Sequence, residues 1–192
     1  LDDKVKAVEW IDFDLDGKGS ATFVTGGFDQ CAYLWTWDSK SNQVKCVAAC
    51  RGHSETVMTI ASAPSGYKLS TPVFATGSWD GTIKIWSSEA LAMIGFQGHT
   101  AWLTSVAWAP HRDNQFVTGS VDRSVRLWDT RNLRNSLYDL MGHADMVTDV
   151  NWAQATKLTS PTPSGDQCST KHLILSASAD GTVKVYDYPI CE

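Results

Sequence analysis

The sequence predicts an all-β chain built from four repeats of one small antiparallel sheet, and three observations carry that expectation. One motif recurs four times, as FVTGGFDQCAYLW (23–35), FATGSWDGTIKIW (74–86), FVTGSVDRSVRLW (116–128) and ILSASADGTVKVY (174–186). A Gly-His pair stands upstream of the last three copies, at Gly52-His53, Gly98-His99 and Gly142-His143. No segment sustains a 3.6-residue apolar period between helix caps, whereas short β-branched and aromatic runs bounded by Gly, Asp and Ser occur throughout.

In chain order, the first unit places strands near 5–10, 21–26, 32–37 and 43–49, and the second near 57–61, 73–77, 82–86 and 91–96. Strands of the third unit fall near 103–108, 115–119, 124–128 and 137–140, and those of the fourth near 147–152, 173–177 and 182–186. Alternation as in LTSVAW (103–108) and VTDVNW (147–152) fits a strand with one buried face. The WDGT and ADGT turns between second and third strands are hairpin signals in their own right. Two Pro/Ser/Gly-rich stretches, 62–72 and about 154–171, read as surface loops.

Composition sets the outer bounds. At 192 residues and 43% apolar content the chain can bury a core, and its net charge of −5 is spread without long runs. That balance makes no direct electrostatic claim on nucleic acid or an anionic membrane. The five cysteines, Cys31, Cys46, Cys50, Cys168 and Cys191, include no CxxC pair, so they read as reduced thiols of an intracellular protein and not as a disulfide framework or zinc site. No apolar run approaches the ~20 residues of a bilayer span, which predicts a soluble, non-secreted protein. Neither a metal nor a cofactor is expected: three of the five histidines belong to the repeat, while His111 and His172 are expected in loops.

The central aspartates Asp29, Asp80, Asp122 and Asp180 are separated by 51, 42 and 58 residues. With loop insertions in two intervals, that spacing and the motif resemble the WD-repeat family over essentially the whole chain. The resemblance implies a β-propeller, one domain over 1–192 with repeats at about 4–50, 51–96, 97–140 and 141–188. It also implies a hydrogen-bonded tetrad in each blade, matched here by His53, Thr76, Asp80 and Trp86; by His99, Thr118, Asp122 and Trp128; and by His143, Ser176, Asp180 and Tyr186. Two departures stand out. The first unit has Thr25, Asp29 and Trp35 but no Gly-His, and Tyr186 replaces Trp in the last, a change expected to keep a donor.

The first unit opens on its innermost strand and the last ends, at YPICE, just after its third. The expectation is therefore an incomplete or shortened ring with open edges; a closed four-bladed ring is the alternative. The Ser/Thr, His and Asp sets superficially match a nucleophilic triad, but three copies at repeat spacing fit blade architecture and not an active site. Phe28 and Trp79, each before a turn aspartate, and Trp102, after a Gly-His pair, are the candidate partner-binding residues. Trp10, Trp108 and Trp152, ending first strands, are expected to pack between blades. Arg112, Arg123, Arg126 and Arg131 give the third unit a local positive charge, read as a solvated basic face.

Two longer phrases narrow the resemblance. DQCAYLWTWDSKSNQVKCVAACRGH with GSWDGTIKIWS is similar to the early blades of the WD-repeat subunits of the Pescadillo complex, and GHTAWLTSVAWAP through SLYDLMGHADMVTDVNW to their final blades. That resemblance implies a scaffold in large-subunit (60S) assembly and rRNA processing, in nucleolus and nucleoplasm. The implied partners are a block-of-proliferation-type propeller protein and Pescadillo, with the pre-60S particle reached indirectly and neither membrane nor small-molecule substrate involved. The sequence departs from those subunits in lacking the blades expected between Ser88 and Gly98 and the N-terminal ubiquitin-like domain, which puts an ATPase contact in doubt. An unrelated WD-repeat adaptor, acting as a peptide-motif receptor, ubiquitin-ligase substrate reader or signalling scaffold, is the alternative.

Overall fold

The computed structural model describes residues 3–13, 19–64, 73–87, 92–110, 114–153 and 172–188. The expected loop cores at 65–72 and 154–171, with His111, Arg112, Cys168 and Cys191, lie outside them. Among the described residues, fifteen strands form four antiparallel sheets in the order of the sequence. Blade 1 holds β1 (Val5–Phe13), β2 (Ser20–Gly27), β3 (Ala32–Asp38) and β4 (Gln43–Cys50). Blade 2 holds β5 (Val57–Ser62), β6 (Val73–Ser78), β7 (Ile83–Ser87) and β8 (Ala92–Phe96). Blade 3 holds β9 (Leu103–Trp108), β10 (Gln115–Ser120), β11 (Val125–Asp129) and β12 (Tyr138–Leu140). Blade 4 has three described strands, β13 (Val147–Trp152), β14 (His172–Ser178) and β15 (Val183–Tyr188).

Each blade is a meander of antiparallel neighbours joined by short connections, as in blade 2, where the Gly81 N–H donates to the Ser78 carbonyl and Gly81 takes a φ of 76°. Registers repeat from blade to blade: Thr76 opposes Lys84, Thr118 opposes Arg126, and Ser176 opposes Lys184. A register shift recurs near the start of every first strand, at Val5/Ala7, Val57/Thr59, opposite Gly119/Ser120, and at Val147/Asp149. Such a bulge adds twist and re-aims the extra side chain. Thr104 uses it to donate to the Val147 carbonyl of the next blade at 2.7 Å.

The apolar cores lie at the seams between blades. Val24, Ala32 and Leu34 of blade 1 meet Val57, Ile60, Phe74 and Trp86 of blade 2. Ile83, Ile85 and Phe96 of blade 2 then meet Leu103, Val106, Phe116 and Trp128 of blade 3. At the third seam Val117, Val125 and Leu127 meet Val147, Val150 and Ile174. A blade therefore has a leading face that packs on its predecessor and a trailing face that receives its successor, as in a quasi-one-dimensional repeat array.

Close approach at the first and third seams needs a residue without a side chain on the second strand. A Cβ at Gly26 would lie 2.5 Å from Val57 Cγ1, and one at Gly119 would lie 2.7 Å from Val147 Cγ1. The four blades form an open arc, a partial propeller. Trp108 and Trp152 are buried, and Trp152 Nε1 donates to the Ala107 carbonyl across the third seam. Trp10, expected between blades, is instead exposed beside Phe23 of its own blade, because the leading face of blade 1 has no described blade before it.

Candidate functional site

Each tetrad grows from a strand, a hairpin turn and the segment entering the first strand. In blade 2 the Trp86 indole N–H donates to Thr76 Oγ1 at 2.8 Å, and that hydroxyl lies 2.8 Å from His53 Nε2. His53 Nδ1 lies 2.9 Å from Asp80 Oδ2. An ionised carboxylate only accepts, so Nδ1 carries the proton and Nε2 accepts from the threonine; all donors then run from indole to carboxylate. Blade 3 repeats the chain through Trp128, Thr118, His99 and Asp122, at 2.8, 2.7 and 2.8 Å.

The aspartates do more than meet histidine. Asp80 also accepts from the backbone N–H groups of Ser54 and Thr82 and from the Thr82 hydroxyl, the last at 2.6 Å. Ser124 does the same for Asp122, and Thr182 for Asp180. Ser78, Ser120 and Ser178 tie the other side of each turn, accepting from the aspartate N–H and donating to a carbonyl at the blade entrance. These hydroxyls were not singled out from the sequence, although their fixed offsets of two residues on either side of Asp80, Asp122 and Asp180 were a visible signal.

Burial opposes ionisation of Asp80 and Asp122, but hydrogen bonds from His53 and Thr82, and from His99 and Ser124, outweigh it and hold both carboxyls well below the usual carboxylate range. Hydrogen bonds from the Thr182 hydroxyl and the Ala144 N–H lower Asp180 in the same direction.

Two blades break the pattern. In blade 4 His143 bridges Asp180 and Ser176 at 3.0 and 2.7 Å, but the buried Tyr186 hydroxyl has no hydrogen-bond partner among the described residues. The expected fourth donor is thus corrected. A phenol carries its hydroxyl at the far end of the ring, whereas the indoles of Trp86 and Trp128 carry on their flank the N–H that donates to Thr76 and Thr118.

In blade 1 Trp35 donates to Thr25 at 2.9 Å, yet Asp29 Oδ2, the atom that takes the histidine elsewhere, is buried with no hydrogen-bond partner among the described residues. Cys31 stands where the other turns have a hydroxyl. Burial and the adjacent Asp29 carboxylate push the Tyr33 hydroxyl up to about 12.

The three aromatic candidates, scattered in sequence, come together. Trp79 and Trp102 stack with centroids 4.5 Å apart and planes 13° apart, and Phe28 meets Trp79 edge-on at 5.5 Å. Their backbones are set by one repeated bond: Phe28 N–H donates to the Lys4 carbonyl, Trp79 N–H to Thr56 and Val121 N–H to Trp102. The ladder crosses both seams among blades 1 to 3, and Lys6 Nζ sits 5.2 Å over the Phe28 ring. Trp102 remains 51% exposed, and beside it opens a cleft of about 430 Å³ lined by Trp79, Asp80, Thr100 and Val121. Met146, at the position of Trp102 in the next blade, is exposed too.

Two arginines of the basic patch of blade 3 pair with carboxylates of their own blade. Arg131 grips Asp129 with two hydrogen bonds, and Arg126 lies 3.5 Å from Asp139. Among the described residues no three His, Cys, Asp or Glu side chains converge as metal ligands would, and no helix is long and apolar enough to cross a membrane.

Proteins named "Ribosome biogenesis protein WDR12 homolog" are similar to this chain. The one from Drosophila persimilis is 32% identical over 200 residues, covering 95% of this chain and 41% of the relative. Its namesake from Drosophila sechellia is 24% identical over 284 residues, with 95% and 62% covered. The chain thus spans from about two fifths to three fifths of the length of these distant relatives. The family model for the WD domain, G-beta repeat, matches residues 44–87, 92–129 and 134–187, most of the chain, and the protein belongs to the WD-repeat family.

Proposed function

We propose that this chain is a non-catalytic scaffold in assembly of the large ribosomal subunit, and that the Phe28–Trp79–Trp102 ladder is where a protein partner docks. The observation that supports the docking surface is the continuous aromatic stack, ending in a half-exposed indole beside a cleft. Aromatic side chains supply large contact area at low entropic cost, which is why they dominate interface hot spots. The process is suggested by the name of the similar proteins, ribosome biogenesis. The partners proposed from the sequence phrases are a block-of-proliferation-type propeller protein and Pescadillo, with the pre-60S particle engaged through them in nucleolus and nucleoplasm.

The tetrads argue for a scaffold and against chemistry. Each threonine or serine hydroxyl that would be a nucleophile is buried with its proton directed at histidine, and the first two also accept from an indole. No substrate atom reaches such an oxygen without dismantling the blade. The cleft beside Trp102 favours a second reading, a receptor for a short peptide motif.

Isolation of the protein from its source cells, with mass spectrometry of bound proteins and sequencing of bound RNA, separates the two. Pescadillo-complex proteins with large-subunit precursor RNA are expected. Signalling or ubiquitin-ligase subunits without ribosomal precursors would overturn the ribosomal reading and leave the peptide receptor.

A further inference from the structure

The cleft beside Trp102 lies at the seam between blades 2 and 3, and one residue distinguishes that seam from the two on either side. The residue after the turn aspartate is Gly81, at φ 76°, and a Cβ built on it would stand 3.2 Å from the His99 carbonyl oxygen and 3.4 Å from that of Ala101. The same turn position holds Gln30 in blade 1 and Arg123 in blade 3, at φ 65° and 72°. Both carry long side chains on a left-handed backbone that favours glycine. The first and third seams thus have a side chain at the place that Gly81 leaves open.

The lining of the cleft decides what fits there. No lysine or arginine contributes to it, whereas Asp80 does. Asp122, next in sequence to the lining residue Val121, accepts from His99 and from the Thr100 N–H, so a second carboxylate stands close behind. Both carboxyls are held well below the usual carboxylate range and are ionised at neutral pH. The His99 carbonyl accepts no hydrogen bond among the described residues, and the Ala101 carbonyl accepts a long one, 3.3 Å, from the Ser120 hydroxyl. Trp102 has one ring face on Trp79 and is 51% exposed, which leaves the opposite face to a ligand. A phosphate is repelled by these carboxylates, and an aliphatic side chain leaves the carbonyls unused. A cation answers all three features at once, and a guanidinium answers them best, because its planar fan of donors reaches acceptors while its face lies on an indole.

We infer that this cleft receives an arginine side chain of a protein partner, stacked on Trp102 and donating to the His99 and Ala101 carbonyls, and that Gly81 is the residue that admits it. The inference rests on the aromatic ladder being a docking surface and names the chemistry that the surface recognises.

NMR of the isotope-labelled chain, titrated with a short peptide that carries one arginine between glycines and serines, tests it. Saturable shifts of the Trp79 and Trp102 indole N–H signals are expected, and the same peptide with citrulline, the neutral isostere, should bind about tenfold more weakly or worse. Gly81→Gln asks of the turn a conformation that blade 1 already gives to Gln30, and it should abolish the arginine shifts while the signals of blades 1 and 4 stay in place. No response to arginine, an equal response to citrulline, an unaltered response in Gly81→Gln, or the same signals moved by a short single-stranded RNA would overturn the inference. Isolation of the variants from the source cells separates it from the reading beneath it. If Trp79→Ala/Trp102→Ala loses the partner proteins and Gly81→Gln keeps them, the ladder stands and the arginine cleft falls; if both keep them, both fall.

Discussion

Trp79 and Trp102 stack face to face across the seam between blades 2 and 3, although 23 residues separate them in sequence and each is anchored to a different sheet. The contact depends on two backbone bonds of the same repeated type, from Trp79 N–H to the Thr56 carbonyl and from Val121 N–H to Trp102. Blade geometry thus positions a surface feature without spending any tetrad residue on it.

Trp102→Ala removes this stack at a half-exposed site. The expected stability loss is about 0.5–1.5 kcal/mol, the size of one aromatic pair, with the far-ultraviolet spectrum unchanged. Thermal melting checks it; a cooperative collapse of the fold would show that the indole is a core element.

Thr118→Val cuts the blade 3 chain at its centre. The His99 Nε2 acceptor and the Trp128 N–H both lose their partner, at roughly 1–3 kcal/mol for each buried unpaired group. Tyr186→Phe removes a hydroxyl that has no described partner and is expected to change stability by less than about 0.5 kcal/mol or to raise it. Urea unfolding of both variants gives the comparison.

Gly119→Ala places a methyl 2.7 Å from Val147 Cγ1 and 3.0 Å from Val150 Cγ1. Such overpacking costs about 1–3 kcal/mol and should loosen blade 4 first. Faster hydrogen exchange in β13 and β14 than in β2 and β3 is the expected signature.

The sequence disclosed the fifteen strands because each is bounded by its own turn chemistry, and the tetrads because Gly-His and the turn aspartate recur at fixed places. It did not disclose that the Tyr186 hydroxyl finds no partner among the described residues, since hydrogen-bonding capacity is readable in a residue type and ring geometry is not. The aromatic ladder was legible only in part. Phe28, Trp79 and Trp102 could be picked out singly, but their contact depends on how neighbouring blades are set against each other. Trp10 misled for the same reason: its environment is decided by whether another blade lies before it.

Stability should fall at both ends of the pH scale. Asp80, Asp122 and Asp180 ionise more readily folded than unfolded, so the unfolded chain binds more protons in acid. Their contribution is whole above the ordinary carboxylate value of about 4 and is lost as pH falls below it. Burial and the neighbouring Cys31 push the Cys50 thiol from 9.0 up to about 12. There the unfolded chain loses its proton first, so stability is whole below pH 9.0 and declines as pH rises toward about 12. Cys50→Ala should flatten the first part of the alkaline decline, leaving Tyr33 to act above 10.0, with the acid limb unchanged. Denaturant titrations at a series of pH values read both limbs.

The measurement closest to the central claim is parallel isolation of the wild-type chain and of a Trp79→Ala/Trp102→Ala variant from the source cells, with matched expression and with both shown to be folded at the isolation temperature. The account predicts that the wild type carries Pescadillo-complex proteins and large-subunit precursor RNA, and that the variant loses both while remaining folded. A folded variant that retains the full set would contradict the assignment of the ladder as the docking surface.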